Sequence, residues 1–438
     1  MTTSEAPRQS AIRTALAGLI GNVLEWFDFA VYGFFAGDIG KQFFPQSSAT
    51  AQQILAFAIF ALGFFARPAG ALVLGTVGDR IGRRALLTLS IALMGGATLM
   101  IGLLPGYNTI GVAAPVILVV LRIIQGFSLG GEFTGSMVYT TELAAPKLRG
   151  LISSSTAAGT TLGFLLGNIS AWLVRETMGT QAASEWGWRI PFVGSVLFCV
   201  AGWLLRRGIQ ESAEGEKSAA MRAPIWSSLV RDWRPMIQTF GIVAMTNAAY
   251  YLTFTFVVER RKEMTGLSSP FLATMVSLTV VLFAKAFGGW LSDHVGRRRL
   301  MMILTVVGMV AVYFAFGLML VGTPGEFLLG QCLLGVPLGM ALGLQGAMNV
   351  EIYPLRTRVT SMSFAYSVTL ALSGGVAPLV ATWLIDVLGH PTAPVYYVMG
   401  YGVIGLLIMW PMKETNSRRL DVVDDTPVTV PPARQVSR

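Results

Sequence analysis

The feature that most limits how this chain can fold is a series of long apolar stretches that fills almost its whole length. A membrane-spanning helix needs about 20 apolar residues, and twelve stretches of roughly that length recur here, with charge confined mostly to the gaps. Hydrophobic residues make up 53% of the 438 positions and charged residues 13%, about half the charged share of a soluble domain. We therefore expect an all-α membrane protein with twelve transmembrane helices. The predicted spans lie near 15–36, 52–77, 85–104, 114–140, 151–174, 190–206, 236–258, 271–291, 300–321, 326–350, 361–385 and 394–412.

Composition also narrows the classes of function. The net charge of +9 comes from Lys and Arg in short gaps and not from a basic domain, which argues against nucleic-acid binding. Cys199 and Cys332 lie in apolar stretches, and the two histidines lie near predicted helix ends, so we expect no metal, no cofactor and no thiol chemistry. The glycine-rich segments 159–167 and 335–346 lack the flanking strand of a nucleotide site. An enzyme and an ATP-driven pump are therefore both disfavoured.

The distribution of Lys and Arg predicts the orientation of the chain. Of these 32 residues, 23 lie on the termini and on alternate loops of one side, 6 on the opposite loops and 3 inside spans. Cationic loops stay in the cytoplasm, so we expect both termini there. The N-terminal segment has no small-residue cleavage site and its apolar core is interrupted by Glu25 and Asp28, which predicts a retained first helix and not a signal peptide.

An internal repeat divides the chain into two halves. The second span ends in GTVGDRIGRR (75–84) and the eighth in GWLSDHVGRR (289–298), 214 residues later. The segments after the fourth and tenth spans also match, with Glu142, Pro146 and Arg149 echoed by Glu351, Pro354 and Arg358. Both motifs recur in the second half at nearly the same distance along the chain. This predicts two six-helix halves that arose by duplication, with a substrate site between them. The predicted domains are 1–206, a cytoplasmic linker 207–235, 236–412 and a disordered cytoplasmic tail 413–438.

The repeated loops predict a cytoplasmic gate. An aspartate in these loops is suited to cap or pair with a neighbouring helix end. The arginines are suited to pair with acids such as Glu142 and Glu351. Such contacts would close the cytoplasmic side and break when the halves rock. The alternative is that the loops serve only as a cationic topology anchor. The gate candidates are Asp79, Arg83, Asp293, Arg297, Glu142 and Glu351.

Charged residues inside the spans are candidates for function, because an ionisable group at the bilayer centre costs a few kcal/mol or more. In the first span a polar stripe recurs at steps of three and four residues, and in the fourth span a second stripe does the same. Both stripes are expected to face a central cavity. The alternative is an internal ion pair that only joins helices. The stripes comprise Gly18, Asn22, Glu25, Asp28 and Tyr32, and Arg122, Gln125, Ser128 and Glu132.

Two further cations lie inside spans. Arg67 precedes Pro68, so it is suited either to cover carbonyls freed by a kink or to contact substrate. Lys285 lies four residues before Gly289, at a depth related to that of Arg67 by the repeat. Its alternative role is snorkelling toward the cytoplasm. Polar residues of the seventh and tenth spans are weaker cavity candidates because such residues also serve packing. These are Asn247, Tyr250, Tyr251, Gln345 and Asn349.

Four further stretches carry a family resemblance. They read GNVLEWFD (21–28), ARPAG (66–70), RIIQGFSLGGE (122–132) and GWRIPF (187–192). With the two glycine–aspartate–arginine loops, they resemble the metabolite:proton symporter family of the major facilitator superfamily. Members of that family transport proline and betaine, citrate, α-ketoglutarate and shikimate. The resemblance covers about 18–412 and implies a monomeric transporter in the bacterial inner membrane that moves a small metabolite with protons by alternating access.

The residues then take provisional roles. A carboxylate partly removed from water can load and release protons, so Glu132, Asp28 and Glu25 are the candidate proton carriers. The candidate substrate ligands are Arg122, Lys285, Gln125, Tyr250 and Asn247. The extra cation Lys285 favours an organic acid over a zwitterion such as proline or betaine, for which Trp26 and the two tyrosines would offer an aromatic face. A uniporter and a sodium-coupled carrier remain as alternatives, whereas a membrane enzyme or a receptor would need a site or domain that we do not find.

Overall fold

The computed structural model describes residues 19, 22, 23, 25–81, 83–206, 229–265, 269–355, 357–416 and 420. At 75–81, 83–88, 198, 201–206, 263–265 and 269 it describes the backbone alone. The described residues form helices, turns and loops, and no strand occurs among them. The all-α prediction is confirmed.

In the part of the chain that the structure describes, the long helices fall into twelve segments, several of which contain a break or a π-helical turn. We number them α1 to α12 in chain order. They are 25–34 with Ala36–Phe43 (α1), Ala49–Ile81 (α2), Arg83–Leu103 (α3), Ala113–Ser128 with Glu132–Leu143 (α4), Arg149–Ala182 (α5), Arg189–Arg206 (α6), Trp233–Tyr251 through Leu252–Phe256 to Val257–Thr265 (α7), Ser269–Val295 (α8), Arg297–Val321 (α9), Pro324–Ile352 (α10), Arg358–Leu370 through Ala371–Gly375 to Ala377–Leu388 (α11) and Pro394–Met409 (α12).

Length and composition make most of these helices fit to cross a membrane. Within the described residues, eight of them meet both criteria, namely α2, α4, α5 and α7 to α11, and shorter apolar helices occur at Leu89–Leu103 and Pro394–Met409. Large apolar side chains also point outward, for example Phe283 and Leu407, which are 71% and 70% exposed. Such surfaces fit a lipid solvent, in which each helix satisfies its own backbone hydrogen bonds.

The two halves predicted from the repeat meet along two equivalent seams. Helix α8 packs along α5, and α2 packs along α11. The repeat relates α2 to α8 and α5 to α11. It therefore relates the seam between α2 and α11 to the seam between α8 and α5. Within the halves, α2 crosses α4 and α8 crosses α10. A Cβ atom on Gly126 would overlap the backbone carbonyl of Gly63, and one on Gly343 would overlap that of Lys285. Glycine is therefore required for these close crossings.

The fourth span differs from the prediction. We expected one helix over 114–140, but α4 is interrupted at 129–131, where Gly131 has a φ of 96°. The left-handed backbone is accessible to glycine at low cost, and the GlyGly pair permits a restart at Glu132. The stripe predicted from Arg122 to Glu132 is therefore not one helix face.

The tail prediction also needs correction at its start. Glu414 accepts hydrogen bonds from the backbone nitrogens of Arg297 (2.6 Å) and Arg298 (3.3 Å), and the Thr415 hydroxyl donates to Glu351 (2.8 Å). A carboxylate satisfies the free N–H groups at the start of a helix, here α9. The tail is thus ordered through Thr415, and the rest of it beyond 416 lies almost entirely outside the described residues. Most of the predicted linker, 207–228, also lies outside them.

Candidate functional site

A chain of buried hydrogen bonds runs through the first half from α4 to α1. Arg122 Nη1 donates to Gln125 Oε1 (2.9 Å), Gln125 Nε2 donates to Thr98 Oγ1 (2.6 Å), and Thr98 Oγ1 donates to Asp28 Oδ2 (2.5 Å). All four side chains are almost fully buried. The guanidinium carbon of Arg122 also lies 4.2 Å from the ring centre of Tyr32. These contacts join α1, α3 and α4 within the first half. The expectation that Arg122 and Asp28 face a central cavity stays a prediction.

Arg67 forms the second buried cationic site. Its Nη1 atom lies 2.7 Å from Glu25 Oε1, with both side chains at most 3% exposed. Its guanidinium carbon lies 4.6 to 5.4 Å from the ring centres of Trp26, Phe29 and Phe64. Arg67 therefore joins α2 to α1 through an ion pair and aromatic rings. The two roles expected from the sequence were to cover carbonyls freed by a kink and to contact substrate. Neither of them included this contact with α1.

An aromatic cluster fills the space where the two halves meet. Neighbouring ring centres in it are 5.0 to 6.3 Å apart. Tyr251 directly precedes the π-helical turn of α7 and touches rings of both α1 and α2. π-helical turns frequently occur at functional sites. The cluster comprises Trp26, Phe64, Phe133, Phe164, Tyr250, Tyr251 and Tyr366.

Several buried donors beside this cluster lack acceptors. Trp26 Nε1, Arg67 Nε and Nη2, and the Tyr251 hydroxyl have no hydrogen-bond partner within the described part of the protein. Aromatic rings attract the guanidinium but compensate only part of the hydration free energy that it loses on burial. An unsatisfied buried donor costs about 1–3 kcal/mol, and more if it is charged. The region is therefore rich in donors and suited to a ligand that supplies acceptors.

Lys285 connects the two halves directly. From α8, its Nζ atom donates to the backbone carbonyl of Ala157 (2.8 Å) and to Thr160 Oγ1 (2.9 Å), both on α5. The same nitrogen lies 5.3 Å from the ring centre of Tyr250, and the side chain is 1% exposed. Snorkelling toward water, the alternative considered from the sequence, is therefore wrong. Both hydrogen-bond acceptors are uncharged.

The amides expected to line the cavity mainly connect helices within the second half. Gln345 Nε2 donates to the Ile242 carbonyl (3.2 Å) and to Thr246 Oγ1 (2.9 Å), and so joins α10 to α7. Asn247 Nδ2 donates to the carbonyl one turn earlier, that of Val243 (3.0 Å). Asn349 does the same with Gln345 (2.9 Å). The Asn247 amide nitrogen thus donates within its own helix.

One membrane face carries a charge network that involves the second motif loop. We call it the motif face. The Asp293 carboxylate accepts from the backbone nitrogens of Gly150 (2.9 Å) and Leu151 (3.0 Å) at the start of α5. Arg297 contacts Asp293 at 2.8 Å and Glu351 at 3.2 Å. The predicted contact of the motif aspartate with a neighbouring helix end is therefore present, and it crosses between halves.

The matching loop of the first half is less fully described. The side chains of Asp79 and Arg83 lie outside the described residues. Glu142, an acid predicted to pair with the motif arginines, pairs with Arg358 Nη1 (2.5 Å), again across the halves. Arg358 is the first residue of α11, so both seams hold a charged contact at this face.

The opposite face carries a network that the sequence analysis missed. Asp38 of α1 is paired with Arg175 of α5 and lies 3.4 Å from Lys262 Nζ of α7. Lys262 also contacts Glu259 at 2.5 Å, and Glu259 Oε1 accepts from the backbone nitrogen of Gly37 (2.9 Å). All four charged side chains are buried. The sequence assigned both cations to loops, and only their clustering near span ends hinted at pairing.

Two halves that are joined by charged contacts at both faces and that hold buried ionisable groups fit a transporter of the alternating-access class. The chain belongs to the major facilitator superfamily and is a relative of its metabolite:proton symporters. Residues 14–214 match the family described as sugar (and other) transporter, and 262–435 match the Major Facilitator Superfamily. Because these are families of transporters and not of enzymes, the expected class of protein is supported.

Individual relatives agree with this assignment. The proline/betaine transporter of Escherichia coli K12 is 32% identical over 92% of this chain and 84% of its own length. The citrate-proton symporter of Klebsiella pneumoniae is 34% identical over 93% and 92%. The solved D-xylose-proton symporter shares 18% identity and superimposes with a TM-score of 0.73 over 93% of this chain and 99% of its own. That structure confirms the fold.

Proposed function

We propose that this protein is a proton-coupled symporter of a small carboxylate-bearing metabolite, with an organic acid favoured, and that it works by alternating access in a bacterial inner membrane. The observation that carries the substrate class is the group of unsatisfied donors on Trp26, Arg67 and Tyr251. Each of these groups can donate, and the Trp26 and Arg67 nitrogens cannot accept. A carboxylate, with two oxygens and about four acceptor positions, is the complementary ligand.

Lys285 extends the same argument across the seam. Its ammonium group is buried with two uncharged acceptors on α5, and a buried charge without a counter-ion is costly. An anion between the halves would supply the missing charge and would also bind both halves at once. This supports a carboxylate substrate and gives Lys285, together with Tyr250 beneath it, a role in binding.

Proton coupling is best supported at Asp28. This carboxylate is 2% exposed and accepts from a neutral hydroxyl, that of Thr98, whereas Glu25 is held by the Arg67 cation. A carboxylate without a cation in direct contact is the easier one to protonate. Glu132 starts the second segment of α4 after the break and is only partly buried. We therefore rank Asp28 above Glu132, which the sequence pattern had favoured.

The two charge networks support alternating access. In the structure both faces are closed, since Asp293 and Arg358 join the halves at the motif face and Lys262 and Glu259 join them at the opposite face. Transport then requires each network to break in turn. With the motif face assigned to the cytoplasm by the cationic loops, both termini are cytoplasmic and the opposite face is periplasmic. Both halves belong to one chain, which supports a monomer as the working unit.

The motif-face network gives the first prediction. Asp293→Asn removes the charge that holds the start of α5 and Arg297, and charge-assisted hydrogen bonds contribute about 1.5–3 kcal/mol each. We expect the balance between closed and open motif face to shift by about tenfold or more toward open. Membrane yield should stay near normal because no span changes. Labelling of Ser153→Cys, a buried α5 position, in a background with Cys199 and Cys332 replaced by Ser, measures the opening.

Two matched variants make this prediction decisive. His294→Gln changes an exposed neighbour of Asp293 on the same turn and should leave labelling unchanged. Lys262→Gln weakens the opposite face, so it should lower labelling of Ser153→Cys and raise that of Thr255→Cys, a buried position beside Gly33. Equal labelling of Ser153→Cys in the Asp293→Asn variant and in its parent would rule out a gate at this face.

A zwitterionic osmolyte such as proline or betaine is the second candidate. It is favoured by the aromatic cluster and by Glu25, because an ammonium group is attracted to aromatic faces and to a carboxylate. Uptake by proteoliposomes, screened with di- and tricarboxylates, betaines and proline, separates the two. We expect uptake of an organic acid, driven by an inward proton gradient. Uptake limited to betaines would establish the second candidate, and uptake that follows sodium would contradict proton coupling.

A further inference from the structure

Thr98 lies at the centre of the hydrogen-bond chain in the first half. Its side chain is fully buried on α3, between Asp28 of α1 and Gln125 of α4. Three oxygen or nitrogen atoms lie within hydrogen-bond distance of its hydroxyl: Asp28 Oδ2 at 2.5 Å, Gln125 Nε2 at 2.6 Å and the Met94 carbonyl at 2.9 Å. A threonine hydroxyl has only one proton to donate. Thr98 therefore cannot serve both acceptors at once.

The direction of each bond follows from Arg122. A guanidinium only donates, so Gln125 Oε1 accepts from Arg122 Nη1 and the other end of the amide, Nε2, must donate to Thr98 Oγ1. This occupies one lone pair of the Thr98 oxygen. Its single proton can then be donated either to Asp28 Oδ2 or to the Met94 carbonyl.

The two choices match the two protonation states of Asp28. When the carboxylate is ionised, the Thr98 proton points to it. When Asp28 carries a proton, it donates to the second lone pair of Thr98, and the hydroxyl turns to the Met94 carbonyl. Thr98 Oγ1, Gln125 Nε2 and Asp28 Oδ2 each keep a partner in either state without movement of a heavy atom. In each cycle Asp28 takes up one proton from water and later releases one proton to water. The cycle needs no other reactant.

We propose that Thr98 is a positioning residue for proton coupling, and that rotation of its hydroxyl accompanies loading of Asp28, while Gln125 and Arg122 hold the Thr98 oxygen in place. The inference rests on the proposed coupling at Asp28. The other ionisable groups around Asp28 are Arg122 on α4 and the Cys199 thiol on α6, with Glu25 and Tyr32 one turn away on α1. None of these can replace the bond that Thr98 donates, because no other hydrogen bond to Asp28 is present in the described part of the chain.

Thr98→Val tests this directly, because it keeps the branched shape and removes the hydroxyl. Both forms of Asp28 then lose a hydrogen bond, but the bond to the ionised carboxylate is charge-assisted and the stronger of the two. The protonated form is therefore favoured, and proton release needs a higher pH. We expect the pH at which uptake is half-maximal to rise by about one unit or more. Thr98→Ser retains a hydroxyl and should restore the parental profile. If Thr98→Val yields too little protein, Thr98→Ala provides the same readout.

The outcomes separate this inference from the proposed function. A shifted profile in Thr98→Val, restored in Thr98→Ser, supports the rotating hydroxyl, since a purely structural defect would lower the rate without moving the profile. An unshifted profile, or an equal shift in both variants, overturns it. If Asp28→Asn still accumulates substrate with protons, it is the proposed coupling at Asp28 that fails.

Discussion

Asp28→Asn is expected to abolish accumulation of substrate against a gradient while leaving exchange of substrate across the membrane measurable. The amide keeps the size of the side chain and its ability to accept from Thr98, but it cannot bind and release a proton at neutral pH. Without a proton to carry, the inward gradient has no means of driving substrate, and uptake should stop when the inner and outer concentrations are equal. Uptake driven by an imposed pH gradient, compared with counterflow in preloaded vesicles, measures the two activities separately.

Glu132→Gln is the matched control for this experiment. Glu132 has the same chemistry and lies on α4 beyond the break at Gly131, so its neutral variant should still accumulate substrate if Asp28 is the carrier. The reverse result, with accumulation retained in Asp28→Asn and lost in Glu132→Gln, would move the proton site to α4. Loss of counterflow in Asp28→Asn would show a general defect and would not support a specific role in coupling.

The second large effect concerns the cation at the seam. Lys285→Gln should raise the half-saturation concentration for a dicarboxylate by about tenfold to a hundredfold, because a hydrogen bond to a charged group contributes about 1.5–3 kcal/mol. Glutamine keeps a donor for the Ala157 carbonyl and Thr160, so the contact between α8 and α5 need not be lost. Initial rates of uptake over a range of substrate concentrations give the measurement.

Two comparisons identify the cause of such a change. Thr160→Val removes one of the two neutral acceptors of Lys285 but keeps the Lys285 charge. It should therefore change the half-saturation concentration much less. A monocarboxylate should be less affected by Lys285→Gln if its one carboxylate binds near Arg67. High-affinity betaine uptake that is unchanged in Lys285→Gln would favour the zwitterion candidate and contradict the organic-acid preference.

Much of the fold was predictable because its signals are local or repeated. The apolar stretches located the helices, although α1, α5 and α7 extend beyond the predicted ends at 36, 174 and 258 to Phe43, Ala182 and Thr265. The duplicated loops predicted two halves and the contact of Asp293 with a helix end. The family stretches carry the resemblance that the relatives confirm. These features depend on spacing along the chain, which a single sequence contains.

The candidate site was predicted only in part, because a polar stripe shows which face of a helix is used but not which helix it meets. Arg122 donates to Gln125 on its own helix, and Arg67 pairs with Glu25 from a different span. The break at Gly131 was hidden because glycine also serves helix packing. Asp38 and Lys262 are 224 residues apart, and no periodic pattern connects positions so distant.

The central claim is that protons and a carboxylate-bearing substrate move together through this protein. The most direct measurement is proton entry into reconstituted vesicles, followed with an internal pH indicator, when an organic acid identified by the uptake screen is added outside. We predict acidification that begins with substrate addition, scales with substrate uptake and is absent in Asp28→Asn. Substrate uptake of normal rate with no accompanying proton entry would contradict the account and indicate a uniporter or a carrier coupled to another ion.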